Sequence, residues 1–189
     1  MAALADLLSA RGDAAAAEPW YRRAAAEGDA EAMFGLAVLC ADQGESADAL
    51  HWYERAADAG EDRAMCNLAV HHEYHGDADT ALRWWRRAAD SGNTRAMFNL
   101  AVTLAERGDS TGAEEWYRRA AGAGNDAAAG NLGILMAQRG EFEAAEPWLR
   151  GAAEAGHPNG MYNYGVLLQK SGRHAEAENW LTRAREAGH

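Results

Sequence analysis

The stretch from Asn99 to Gly124, NLAVTLAERGDSTGAEEWYRRAAGAG, decides the fold of this chain. It reads as a helix that stops at Gly108, a capping residue in Asp109, and a second helix that carries Trp116 and stops at Gly124. The pattern returns every 32 residues, with tryptophan at Trp20, Trp52, Trp84, Trp116, Trp148 and Trp180. The segments that begin at those positions are WYRRAA (20 and 116), WYERAA (52), WWRRAA (84), WLRGAA (148) and WLTRAR (180). One supersecondary unit is therefore copied head to tail, an architecture that builds an extended binding surface and not a catalytic pocket.

Glycine punctuates the copies. Gly12, Gly44, Gly76, Gly108, Gly140 and Gly172 interleave at 16 residues with Gly28, Gly60, Gly92, Gly124, Gly156 and Gly188, so each ends a helix of about 12 to 14 residues. Asp13, Asp29, Asp77, Asn93, Asp109 and Asn125 directly follow such glycines, where their side chains can accept from the first amides of the next helix. Pro158 falls at a first helical position, where its missing amide costs nothing. Pro19 and Pro147 fall inside helices at one shared repeat position, where a bend is expected and a break is not. The expected fold is all-α: a right-handed α-solenoid of six antiparallel helix pairs forming a single domain over 1–189. The pairs are bounded at about 1–28, 29–60, 61–92, 93–124, 125–156 and 157–189. In each pair the first helix is named A and the tryptophan-bearing one B.

Composition agrees. A quarter of the residues are charged and nearly half are apolar, with alanine and leucine dominant over β-branched residues. The net charge of -11 argues against nucleic acid, which needs a clustered basic face. No apolar run approaches the roughly 20 residues that span a bilayer, and the start MAALADLLSARG lacks a basic secretion leader, so a cytoplasmic protein without membrane insertion is expected. One lysine, Lys170, among many arginines fits a GC-rich bacterial genome.

The pattern NLAV or NLGI in helix A, then Gly, an Ala, WYRRAA and a closing Gly resembles the Sel-one-like branch of the tetratricopeptide repeat superfamily over essentially the whole chain. The period departs from the 34 residues usual for that superfamily. The resemblance implies an adaptor that holds other proteins on a concave surface lined by the A helices, with Asn at this repeat position touching bound peptide.

The A helices carry a matching surface. In the third A helix, Met65, Leu68, Ala69 and His72 form the stripe expected to pack on the B helices. Arg63, Asn67, Val70 and Tyr74 fall roughly opposite, within about 60° of one another. Stacked copies would align Asn67, Asn99, Asn131 and Asn163 in one row and Val38, Val70, Val102, Ile134 and Val166 in another, with Phe34, Phe98 and Tyr162 at the edge. An asparagine amide offers a donor and an acceptor, so such a row can pair with the backbone of an extended peptide. The alternative use is within the repeat, tying neighbouring A helices together. The valine row and aromatic residues would take apolar side chains, while Arg63 and Arg95 would hold a carboxylate.

The tryptophans are expected to pack between helices, and the pairs Arg22–Arg23, Arg86–Arg87 and Arg118–Arg119 to form a solvated outer face with neighbouring acids. HHEYH at 71–75 places His71 and His75 at i, i+4, but it is one residue short of HExxH, so no metal, cofactor or catalytic residue is expected. Cys40 and Cys66 are offset by about 9 Å along helices about 10 Å apart, beyond the reach of a disulfide, and should be buried thiols. The first A helix starts late and no polar helix covers Trp180 and Leu181, so a domain cut from a larger protein is expected, or weak self-association through open ends. The function expected is a non-enzymatic adaptor for a protein or peptide; the alternative is a scaffold or oligomerisation module acting through its ends or outer face.

Overall fold

The protein is described by a computed structural model over residues 2–188; Met1 and His189, the outermost residues of the first and last expected pairs, lie outside the described residues. Twelve helices and no strands occur among the described residues. They are α1 (Ala2–Ala10), α2 (Ala14–Ala26), α3 (Ala30–Asp42), α4 (Ser46–Asp58), α5 (Asp62–Tyr74), α6 (Ala78–Asp90), α7 (Thr94–Glu106), α8 (Ser110–Gly122), α9 (Asp126–Gln138), α10 (Phe142–Glu154), α11 (Pro158–Lys170) and α12 (His174–Glu186). All but the 9-residue α1 have 13 residues, inside the expected range.

The joints form as their residues dictate. Every glycine of the two series has φ between 78° and 99°, a left-handed conformation that an L side chain adopts only with strain. The residue after it has two duties. Asp29 donates its amide to Ala24 O (3.2 Å), closing α2, and its carboxylate accepts from Ala32 N (3.1 Å), opening α3. Asp13, Asp77, Asn93, Asp109 and Asn125 likewise accept from an amide three residues on, as expected. Pro158 is at the start of α11, and α2 and α10 run unbroken through Pro19 and Pro147.

The chain divides into two compact units between Ala96 and Met97. In the first, helices α1 to α6 pack each on the next, and the A helices α1 and α3 also touch. Its core joins Ala32, Leu36, Ala37, Ala64, Leu68 and Ala69 of the A helices to Ala24, Ala25, Ala56, Ala57, Ala88 and Ala89 of the B helices. Alanine at the crossings lets the backbones approach, and each fully buried leucine contributes about 1.5–3 kcal/mol. Cys40 and Cys66 are free and buried, and burial pushes both thiols up from their ordinary pKa. In the second unit α8 to α12 pack in succession and α9 also touches α11. Gly160 allows a close backbone approach there: a Cβ would lie 2.7 Å from the Ala152 backbone.

The tryptophan expectation needs correction. Of the six repeated tryptophans only Trp116 is buried, and the others are half-buried. The next residue along goes deeper: Tyr21, Trp85, Tyr117 and Leu149 are buried. One residue is a rotation of 100°, which turns the second position to the helix interface and leaves the tryptophan at its rim. The rim is where arginine meets it. The guanidinium carbons of Arg55, Arg87, Arg119 and Arg183 lie 4.6, 4.5, 4.0 and 4.1 Å from the ring centres of Trp52, Trp84, Trp116 and Trp180. Of the arginine pairs, Arg22 and Arg118 do bond acids, Glu18 and Glu114, one turn back, but Arg87 and Arg119 cover indole rings instead of forming a purely solvated face.

Candidate functional site

In the first unit the A-helix face centres on α3 and α5. Asn67 sits between Tyr53 and a shallow cleft of about 300 Å³ lined by Phe34, Arg63, Cys66, Asn67, Asn93 and Arg95. Burial raises the Tyr53 hydroxyl, and a hydrogen bond with Asn67 opposes that shift. Arg63 is already taken: Nε donates to Glu61 (2.6 Å), a terminal nitrogen to Glu31 (3.2 Å), and its carbon lies 4.5 Å over Phe34. The expectation of an arginine pair holding a ligand carboxylate therefore narrows to Arg95, which makes no carboxylate ion pair among the described residues. Its neighbour is Cys66, whose thiol it draws back toward the ordinary value against burial. Further along α5, Val70 is 48% and Tyr74 87% exposed, an apolar strip continuing the face.

His72, expected in the buried stripe beside Met65, Leu68 and Ala69, is only half-buried, its Nδ1 3.5 Å from Asp77. His71 and His75 stack at 4.2 Å, and His75 Nδ1 pairs with the His71 carbonyl at 2.8 Å. Burial, then the neighbouring His75 and His72, holds the His71 imidazole below its ordinary pKa. No group of three or more His, Cys, Asp or Glu among the described residues is placed to hold a metal ion.

In the second unit the same elements recur with a gap. Phe98 lies 6.2 Å from Tyr117, and Asn131 Nδ2 donates to the Tyr117 hydroxyl at 3.3 Å. Asn131 thus ties α9 to α8, the B helix of the preceding copy, a structural use that runs between copies and joins an A helix to a B helix. Asn163 stands at the same repeat position one copy on, where the preceding B helix has Leu149 in place of tyrosine. Asn163 has no side-chain partner among the described residues. It borders a cleft of about 410 Å³ whose other walls include Asp126, Ala127, Gly130, Asn131, Ile134 and Leu149. Gly130 explains that cleft. Its column through the copies reads Phe34, Cys66, Phe98, Gly130, Tyr162, and a Cβ built on Gly130 meets nothing within 4 Å. Ring and hydroxyl are both missing from this copy, so the space they fill elsewhere stands open beside Asn131 and Asn163. Val102 and Ile134 are half-buried and Tyr162 is 41% exposed. Asn99 is half-buried in α7.

Of the residues expected on this face, Arg63, Asn67 and Arg95 line one cleft in the first unit, and Asn131, Ile134 and Asn163 line another in the second. Gly130, Leu149 and Asp126 were missed. The signal was present in the aligned copies as a column losing its ring and another its tyrosine, but a search for conspicuous side chains passes over glycine.

Profiles of the tetratricopeptide repeat match residues 2–64 and 66–128, and again 127–150 and 158–183. The chain belongs to the tetratricopeptide repeat family. Its structure resembles a Sel1 repeat protein from Oxalobacter formigenes (TM-score 0.84, 21% identity, covering 100% of this chain and 86% of that one). It also resembles a protective antigen of uropathogenic Escherichia coli with an SLR fold (0.74, 24%, 97% and 44%), so this chain spans less than half of that protein. A third likeness is to YrrB, a TPR protein with an unusual peptide-binding site (0.68, 20%, 89% and 92%). These likenesses show a shared helical repeat fold. No curated protein matches the sequence. A tetratricopeptide repeat is a protein–protein interaction scaffold, and no helix among the described residues is long and apolar enough to cross a membrane.

Proposed function

We propose that the six helix pairs of residues 1–189 act as one repeat domain whose A-helix face binds an extended segment of another protein, without catalysis. The observation that carries this reading is the cleft at Gly130, where the free amide of Asn163 stands beside unfilled apolar space bordered by Ile134 and Leu149. An amide that can both donate and accept holds a peptide backbone, and the open space takes a side chain. Arg95, with Asn67, Val70 and Tyr74 on the same face of the first unit, would add an acid-binding point and apolar contacts.

The experiment places a photoreactive benzoylphenylalanine at Ile134 or Val70 and, as a control, at the exposed B-helix residue Glu115, in lysate of the source organism. Adducts formed from Ile134 or Val70, and lost from Ile134 when Gly130→Phe refills the cleft, support the reading. Adducts formed equally well from position 115, or from that position alone, overturn it. A second reading rests on Leu4 and Leu7 of α1, which are 42% and 50% exposed: self-association through that surface, expected as a concentration-dependent mass in analytical ultracentrifugation that Leu7→Glu removes.

A further inference from the structure

The fifth helix pair lacks a second feature of its neighbours, on the side of α10 that carries Trp148. In four copies an arginine three residues after the tryptophan covers its ring, and Arg87 also reaches back to the Asp58 carboxylate (3.3 Å) and the Ala57 carbonyl (3.3 Å) of the preceding B helix. In the fifth copy that arginine is Gly151, and the position equivalent to Asp58 is Gly122. A Cβ on either glycine meets nothing within 4 Å. Trp148 is half-buried, and among the described residues no cation lies over its ring. What stands in place of the arginine is a cleft of about 230 Å³ lined by Trp148, Pro147, Gly151, Ala129, Ala152 and one charged side chain, Asp126. Asp126 is exposed and forms no ion pair among the described residues.

We infer that this cleft is a binding site for an arginine side chain of a partner protein, which stacks on Trp148 where four other copies place their own arginine and meets the Asp126 carboxylate. The rest of the chain shows what chemistry the indole face accepts, because four tryptophans are covered by guanidinium. The electrostatics agree: the ring presents its negative face, the carboxylate adds a full charge, and the chain as a whole carries -11. A guanidinium fits better than an ammonium, since it is planar, stacks on aromatic faces and sheds its hydration more readily. Asp126 and Ala152 line both this cleft and the one at Gly130, so one segment can occupy both. The site does not depend on the A-helix reading, because it is tested with a single amino-acid amide that does not need that face.

The test follows the indole N–H signals of the 7 tryptophans by nuclear magnetic resonance, with Trp148 assigned through Trp148→Leu, during titration with N-acetyl-argininamide. The expected result is a saturable shift of the Trp148 signal with an apparent Kd of about 1–100 mM, the range for one small contact. The neutral isostere N-acetyl-citrullinamide should leave that signal in place, and Asp126→Asn should weaken binding about two- to five-fold. Gly151→Arg should abolish the shift by supplying the missing arginine in cis, while its melting temperature stays equal or rises, so the loss cannot come from misfolding. No saturable shift at Trp148, an equal response to citrullinamide, or undiminished binding by Gly151→Arg would each overturn the inference.

Discussion

Asn131→Ala and Asn163→Ala remove the same side chain from the same repeat position of one unit, yet they should change stability in opposite directions. Asn131 donates to the hydroxyl of Tyr117, a buried residue, at 3.3 Å. Losing that bond costs about 1 kcal/mol, and about 3 kcal/mol if the hydroxyl is left without a partner. Alanine returns about 0.6 kcal/mol through its higher helix propensity, so the net loss is about 0.4 to 2.4 kcal/mol. Asn163 faces Leu149 instead of tyrosine and has no side-chain partner among the described residues, so Asn163→Ala should keep the gain of about 0.6 kcal/mol. The two variants should differ by about 1 to 3 kcal/mol. Urea unfolding followed by circular dichroism reads this as a midpoint difference of about 0.5 to 1.5 M, for a slope of about 2 kcal/mol per molar. In a Tyr117→Phe background Asn131→Ala should no longer destabilise, since the pair is already broken. Equal effects at the two positions, or an unchanged cost at Asn131 once the hydroxyl is gone, would refute the division of the asparagines into a structural member and a free one.

Three further outcomes are expected. Gly60→Ala places a Cβ at φ 98° and should destabilise by about 1 kcal/mol net of the lower entropy of the unfolded chain, measured as a lower urea midpoint. Tyr21 is pushed up to about 12 by burial and then by Asp6, whose carboxylate accepts its hydroxyl proton at 2.7 Å; the unfolded tyrosine ionises near 10. Its contribution is therefore full below pH about 10 and is lost as the pH rises toward about 12, a slope that Tyr21→Phe should remove from the alkaline melting profile. Glu114 is held below the usual carboxylate range by Arg118, against burial, and further by Arg139. Its contribution is present above the unfolded value of about 4.3 and is lost as the pH falls through the folded one, so Glu114→Gln should flatten the acid limb of stability against pH.

The helices were legible because their ends are set by local chemistry. Gly28 followed by Asp29 means the same thing whatever packs nearby, and the six caps read from sequence all form. Depth was less legible. Whether Trp84 or Trp85 goes inside depends on a 100° rotation, and Trp85 settles the matter by burying its ring while Nε1 donates to Glu73 at 2.7 Å. The occupation of Arg63 was hidden for another reason: it depends on Glu31, one whole copy away, and on a side-chain rotamer. The role of Asn131 hinges on a tyrosine 14 residues upstream and that of Asn163 on its absence. A column of identical letters thus concealed two environments, and the places where the pattern lapses, at Gly130 and Gly151, proved more informative than those where it holds.

The doubled duty of Asp29 and its counterparts makes the molecule a counting device. One residue terminates a helix and starts the next, so no spacer exists at these joints to absorb a change in length. A single inserted residue would separate the two duties and leave one helix end uncapped, whereas an addition of 32 residues would return every cap, every crossing alanine and the chain direction to register. Such a protein can change its reach only in whole steps, and a local change of surface has to come from substitution within a copy, such as the glycines at 130 and 151.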